Sequence, residues 1–186
     1  MNIKYIDEEV KYIGSQLTPH WLYKNYGLRG DSIAAFCGEC DVKITEMVDI
    51  EDVINNEPIY SKSMLGFISE QFNINLVEGV LRQRLLICTI KEVLEKYGVH
   101  TERKGDDLML GDKKLSVSIA AKSVSSVLIH TGLNIISDGT PVKTAGLSSD
   151  FGIDNIKEFA LEVMNRYSFE IDDIIFASTK VRGVQR

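Results

Sequence analysis

Lys114, Ser116 and Ser118 alternate along the run Lys114-Leu115-Ser116-Val117-Ser118-Ile119-Ala120-Ala121. Residues two apart in an extended chain share a face, so this run puts an ammonium and two hydroxyls on one side. Leu115, Val117, Ile119 and Ala121 then form the other side, which reads as core. A lysine held over a developing negative charge, on a phosphate or an acyl group, is an electrostatic catalyst. Asp107 precedes the run across a Gly111-Asp112 turn, where it would orient the lysine or hold Mg²⁺. The same alternation also describes an ordinary solvent-facing strand, and the residues alone leave both readings open.

Further polar residues join these two. Arg29 stands between a short helix and a strand, a position where a side chain can meet an anion. Arg84 lies on a long helix beside the apolar Leu85 and Leu86, and could reach the ligand face. His130 falls inside a strand next to Thr131 and Asn134; its ring titrates near neutral pH, although most strand histidines are structural. Glu70 becomes an inward acid if its ambiguous segment, 63–72, is a strand. Cys37-Gly38-Glu39-Cys40 is a lone C-x-x-C, and a zinc site would need two more ligands. It reads as a hairpin turn with buried thiols, and no metal ligands are assigned. No nucleophile-elbow, Walker, Rossmann or His-Glu-x-x-His pattern is present in the sequence.

These residues need a scaffold. Residues 2–6 alternate weakly, as an edge strand does. Thr18-Pro19 reads as a cap and first helical residue for a short helix carrying Trp21, Leu22 and Tyr26, ended by Gly27. Residues 31–36 form a buried strand, and Asp49 caps one turn over 50–54. The strongest periodicity, Val77, Val80, Leu81, Ile87, Ile90, Leu94 and Tyr97, predicts a helix over 76–97. Hairpin strands follow at 107–110 and 114–121, and another strand over 125–136. Two helices are predicted at the end, 155–167 capped by Asp154 and 169–180, before a basic tail, 180–186. Strands, one long helix, more strands and two helices make an α+β domain with a mostly antiparallel sheet, spanning residues 1–186.

Composition sets the outer limits. The chain has 186 residues, 44% of them hydrophobic and 26% charged, as globular proteins do. It has 21 Lys and Arg against 27 Asp and Glu, a net charge of −6, which disfavours nucleic-acid backbones as partners. The charge is uneven. Residues 43–80 hold seven acids and two bases, while residues 103–122 hold five bases and three acids. The basic cluster suits one small anionic ligand. No apolar run reaches the length of a membrane span, and the acids in residues 7–9 do not suit a secretory signal. A cytoplasmic protein that binds a small molecule, away from membranes, is the expectation. A homodimer is the expected assembly.

The run Gly105-Asp106-Asp107-Leu108, followed by Lys114-Leu115-Ser116-Val117-Ser118, resembles a motif of the biotin and lipoate protein ligase superfamily. There an Asn-Asp turn leads through a hairpin into a Lys-(Ile/Leu)-(Ser/Ala)-Gly strand. Leu128 to Ile135 is similar to the strand that follows. The resemblance implies a class II synthetase-like sheet with helices packed on it. It also implies that Lys114 contacts an acyl group and α-phosphate, that Asp107 lies near metal and phosphates, and that ATP and Mg²⁺ take part. Asp106 stands in place of asparagine, Val117 in place of glycine, and the Arg- and Gly-rich adenylate loop has no counterpart except Arg29-Gly30-Asp31-Ser32. Over its whole length the chain is more similar still to an archaeal family, domain of unknown function 366. That similarity is carried by Gly30-Asp31-Ser32-Ile33, Gln83-Arg84-Leu85-Leu86, Gly105-Asp106-Asp107, residues 114–120 and Lys180-Val181-Arg182. Two functions stand side by side: an acyl- or nucleotide-handling transferase or ligase, and a non-catalytic binding relative with the acidic segment 46–57 as partner surface.

Overall fold

The computed structural model describes residues 1–184. A five-stranded sheet forms its centre. In chain order its strands are β1 (Asn2–Tyr5), β2 (Ser32–Val42), β3 (Ile59–Phe72), β7 (Ser116–Lys122) and β8 (Ser126–Asn134). In space they run β1-β2-β3-β8-β7, and only the β1–β2 pair is parallel. A small antiparallel sheet of β4 (Glu102–Lys104), β5 (Asp107–Leu110) and β6 (Lys113–Lys114) stands beside it. The α+β class and the antiparallel sheet are as predicted.

Two long helices close one face. α3 (Leu76–Lys96) packs on β7 and β8, and α4 (Ile156–Thr179) packs on β1, β2 and α3. Leu86, Ile90, Phe159, Val163 and Tyr167 meet Ile33, Ala35, Leu65, Phe67, Ile129 and Leu133 there. The opposite face carries a second core, with Leu22 of α1 (Trp21–Tyr26) and Ile6 and Tyr12 packed on Ala34, Phe36, Met64 and Ile68. A sheet buried on both faces has few polar positions in its middle, which is why β2 reads as a nearly continuous apolar run.

Several expectations change. Cys37 to Cys40 is not a turn: β2 continues through it to Val42, with a bulge between Gly38 and Cys40. Cys37 packs on the helical side and Cys40 on the other, so the two thiols cannot share a ligand or a bond. Residues 59–72 are one central strand, and Glu70 does point inward, accepting the His20 N–H at 2.9 Å and the Ser126 hydroxyl at 2.7 Å. Thr18 does not cap α1; His20, in a left-handed conformation, precedes it. α4 is one helix rather than two, since no Gly or Pro interrupts it, and Asn155 rather than Asp154 caps it. In α3 the first turns bury Arg82 and Gln83 and leave Val77 and Leu81 exposed, the reverse of the hydrophobic pattern. Arg82 bonds Gln71 and Glu78, and Gln71 donates on to Tyr167, so a hydrogen-bonded network replaces apolar packing there. Of the basic tail, Gln185 and Arg186 lie outside the described residues.

Candidate ligand pocket

On the sheet face away from α3 and α4 there is a cavity of about 520 Å³, a size suited to a metabolite. Its floor is the sheet: Met64 from β3, Val117 and Ile119 from β7, His130 and Asn134 from β8. Gly66 pairs with Gly132 and Gly132 with Val117, so two residues without side chains stand side by side on this face. A Cβ on Gly132 would lie 2.3 Å from the Met64 sulfur, and one on Gly66 would lie 2.8 Å from the Phe36 ring. One wall is the segment between β2 and β3, which contains a single 3-10 turn (Ile44–Glu46) and α2 (Ile50–Asn55). The opposite wall is the small sheet with Asp106, Asp107 and Lys114, together with Thr140, Pro141, Val142 and Thr144.

Lys114 is set by its backbone. It pairs with Met109 on β5, its N–H donates to the Lys143 carbonyl at 2.9 Å, and its carbonyl accepts from Ala145 at 3.1 Å. Its ammonium meets Asp107 at 3.0 Å, both side chains being about one-third exposed. Asp106 is held from behind. The Arg84 guanidinium lies 2.9 Å from it, with no N–H aimed along the contact, and Gln83 donates to it at 3.0 Å. Burial raises the Asp106 carboxyl above its ordinary range, against the pull of Arg84.

The chain kinks at Leu115 between β6 and β7, and this reverses the expected faces. Ser116 pairs with Leu133 and Ser118 with Thr131, both on the helical side, while Val117 and Ile119 face the cavity. Ser116 is buried and accepts the Leu108 N–H at 2.8 Å, so its hydroxyl is a brace between the two sheets. Ser118 borders the cavity, but its hydroxyl is engaged by Gln83, Thr131 and the His130 carbonyl. Arg29 lies outside the cavity, exposed, with its guanidinium 5.4 Å from the Tyr23 ring centre. Arg84 does not line it and acts on it only through Asp106. Of the sequence candidates, Lys114, Asp107 and His130 therefore converge.

His130 is buried under Tyr12, the rings 3.8 Å apart and 10° from parallel. Burial pushes its imidazole down to about 3, so it is neutral at pH 7. Its Nε2 has no hydrogen-bond partner among the described residues. The sequence reading missed Tyr12, Asn134 and the wall residues Asp49, Asp52 and Glu57. The acidity of 46–57, which the non-catalytic reading makes a partner surface, is the one signal for the three acids, and the segment lines the pocket.

The family model for a domain of unknown function, DUF366, matches residues 1–182. The chain belongs to that family. The chain is 39% identical to the uncharacterized protein MJ0805 of Methanocaldococcus jannaschii over 94% of its own length and 81% of the relative's. A solved protein of unknown function from Pyrococcus horikoshi has 37% identity, with a TM-score of 0.92 over 99% of both chains. Two neighbours at lower identity share the fold. They are the biotin protein ligase from Aquifex aeolicus, solved with biotin and ATP (TM-score 0.59, 16% identity, 92% of this chain and 70% of that one) and lipoate-protein ligase A bound with ATP (0.60, 15%, 92% and 86%). This DUF366 chain thus has the biotin/lipoate ligase-like fold foreseen for it. No helix among the described residues is long and apolar enough to cross a membrane.

Proposed function

We propose that this DUF366 protein is a small-molecule transferase or ligase that handles an acyl group, with Lys114 stabilising the negative charge of the carboxylate or acyl intermediate. One observation carries the reading: the Lys114 ammonium stands at the wall of a metabolite-sized cavity, 3.0 Å from Asp107 and pinned by its backbone on both sides. A preorganised charge of this kind needs no rearrangement when charge develops. Asp107 aims the lysine when no ligand is present. The fold shared with ligases crystallised with biotin and ATP supports the reading.

Nucleotide use fits less well. A triphosphate brings about four negative charges, and among the described residues Lys114 is the only Lys or Arg on the pocket lining, against six carboxylates. Asp107 is the residue that would hold a phosphate-bound Mg²⁺. The same imbalance favours a second reading, a binding protein that has lost adenylation.

Thermal shift of the pure protein decides between them, against biotin, lipoate, octanoate, coenzyme A and ATP with Mg²⁺. A true ligand at 100 times its Kd stabilises by about 2.7 kcal/mol, several degrees in Tm. A shift with an acyl ligand that disappears in Lys114→Ala supports the enzyme reading, and turnover is then assayed. A shift that survives Lys114→Ala removes the lysine from the role. We also propose a homodimer, supported by exposed Phe169, Ile174, Ile175 and Phe176 along α4; a monomer mass by light scattering at ~50 μM would exclude it.

A further inference from the structure

Two carboxylates compete for one ammonium on the small sheet. Asp106 and Asp107 are consecutive and both line the cavity; Asp107 meets Lys114 at 3.0 Å, and Lys114 also attracts Asp106. A lysine shared between two acids sits in a net negative site, which repels the anionic end of a ligand. Asp106 is taken out of this competition from behind. The Arg84 guanidinium stands 2.9 Å from its Oδ1, and the Gln83 amide donates to its Oδ2 at 3.0 Å, so both carboxylate oxygens are engaged from α3. Gln83 is itself buried and tied to the large sheet, donating to the Ser118 hydroxyl at 3.0 Å.

A second observation lies in the turn between β4 and β5. Gly105 has a φ of +67°, and a Cβ there would stand 2.6 Å from the Arg84 Nη1. The turn thus comes against the guanidinium more closely than a residue with a side chain allows. Nη1 is buried and has no hydrogen-bond partner among the described residues, so Arg84 acts on Asp106 through its charge rather than through an aimed N–H. With Arg84 in place, Asp106, Asp107, Lys114 and Arg84 form a neutral set; without it the same set carries one net negative charge at the cavity wall.

We propose that Arg84 is a positioning residue for the pocket: by holding Asp106 toward α3 it leaves Lys114 to Asp107 alone, so that the ammonium turns readily to the carboxylate of a ligand. This goes beyond the acyl-handling reading by giving α3 a part in the site, and it rests on that reading for the ligand that Lys114 meets. The competing role for Arg84 is a brace that ties α3 to the β4–β5 turn. A brace matters whether or not residue 106 is charged, whereas a charge that restrains Asp106 matters only while residue 106 is an acid.

A double-mutant cycle separates the two, read by calorimetric titration of octanoate into the full chain at pH 7 and by the ¹³C resonance of the Lys114 ε-methylene, assigned by its loss in Lys114→Arg. Arg84→Gln is expected to weaken octanoate about tenfold and to move the resonance, as the released Asp106 takes up the lysine. Asp106→Asn removes the competing charge while keeping an oxygen that accepts from Gln83, and is expected to bind at least as tightly as wild type. Arg84→Gln/Asp106→Asn is expected to match Asp106→Asn in affinity and in resonance, so that the effect of Arg84 is present beside aspartate and absent beside asparagine. Loss of affinity on removing Arg84 in both backgrounds, or in neither, overturns the proposal. Should Arg84→Gln misfold by circular dichroism, the comparison of Asp106→Asn with the double variant decides by itself. Failure of octanoate to bind wild type would count against the acyl reading; the resonance, which needs no ligand, would then decide on Arg84, and an unmoved signal in Arg84→Gln would overturn its role.

Discussion

The imidazole of His130 lies flat against the phenol ring of Tyr12, with centroids 3.8 Å apart and planes 10° from parallel. The two residues are far apart in sequence, and Tyr12 belongs to no strand; an isolated bridge to Cys40 brings it over the sheet. The stack seals the pocket floor and keeps water from the ring, so His130 is held neutral.

That neutrality makes stability depend on pH. The folded imidazole has its pKa lowered to about 3 from 6.5, so the unfolded chain takes up the proton first. The contribution is fully present above about pH 6.5 and is lost as pH falls toward 3, by at most about 1.4 kcal/mol per pH unit. In His130→Phe, which keeps an aromatic ring under Tyr12, urea midpoints measured from pH 7 to 4 should fall less steeply than in wild type. Equal slopes would mean that the ring is not buried neutral.

Lys114→Ala should cost little stability. The pair with Asp107 is about one-third exposed, and such pairs contribute roughly 0–1 kcal/mol. Chemical denaturation is expected to stay within ~1 kcal/mol of wild type while any acyl-ligand shift vanishes. A loss of several kcal/mol would make Lys114 a structural residue.

Gly79→Ala reverses a common rule. Alanine normally improves a helix interior by about 1 kcal/mol. Here a Cβ would stand 2.3 Å from Val127 Cγ1, where α3 crosses β8. Overpacking of this kind costs about 1–3 kcal/mol, so a lowered Tm is expected. A raised Tm would show that the helix can shift away.

The cysteines should remain apart. Cys37 and Cys40 face opposite sides of the sheet, and burial pushes the Cys40 thiol up to about 12. Mild oxidation should leave the intact mass without the loss of two hydrogens, and Cys40 should react with a thiol reagent only after unfolding. A 37–40 disulfide in the native protein would contradict the β2 geometry.

Much of this molecule is legible from periodicity and local chemistry. α3, the cap of α2 by Asp49, the Gly111-Asp112 turn and the antiparallel character of the sheet all follow from residues near one another in the chain. So does the nomination of Lys114 and Asp107, through the motif on which the ligase resemblance rests. Which face each residue takes was decided elsewhere. Alternation fixes faces only relative to one another, and the kink at Leu115 resets the count, turning Ser116 and Ser118 toward the helices and Val117 toward the pocket. Val77 and Arg82 exchange places for a different reason: Gln71 and Glu78 accept from the guanidinium, Gln71 donates on to Tyr167, and their meeting depends on β3 and α4. The acids of 46–57 were visible as a run, but only the closing of the β2–β3 connection over the sheet made them a wall. Periodicity is a property of neighbours along the chain, whereas a pocket is assembled from segments that meet only once the sheet has paired.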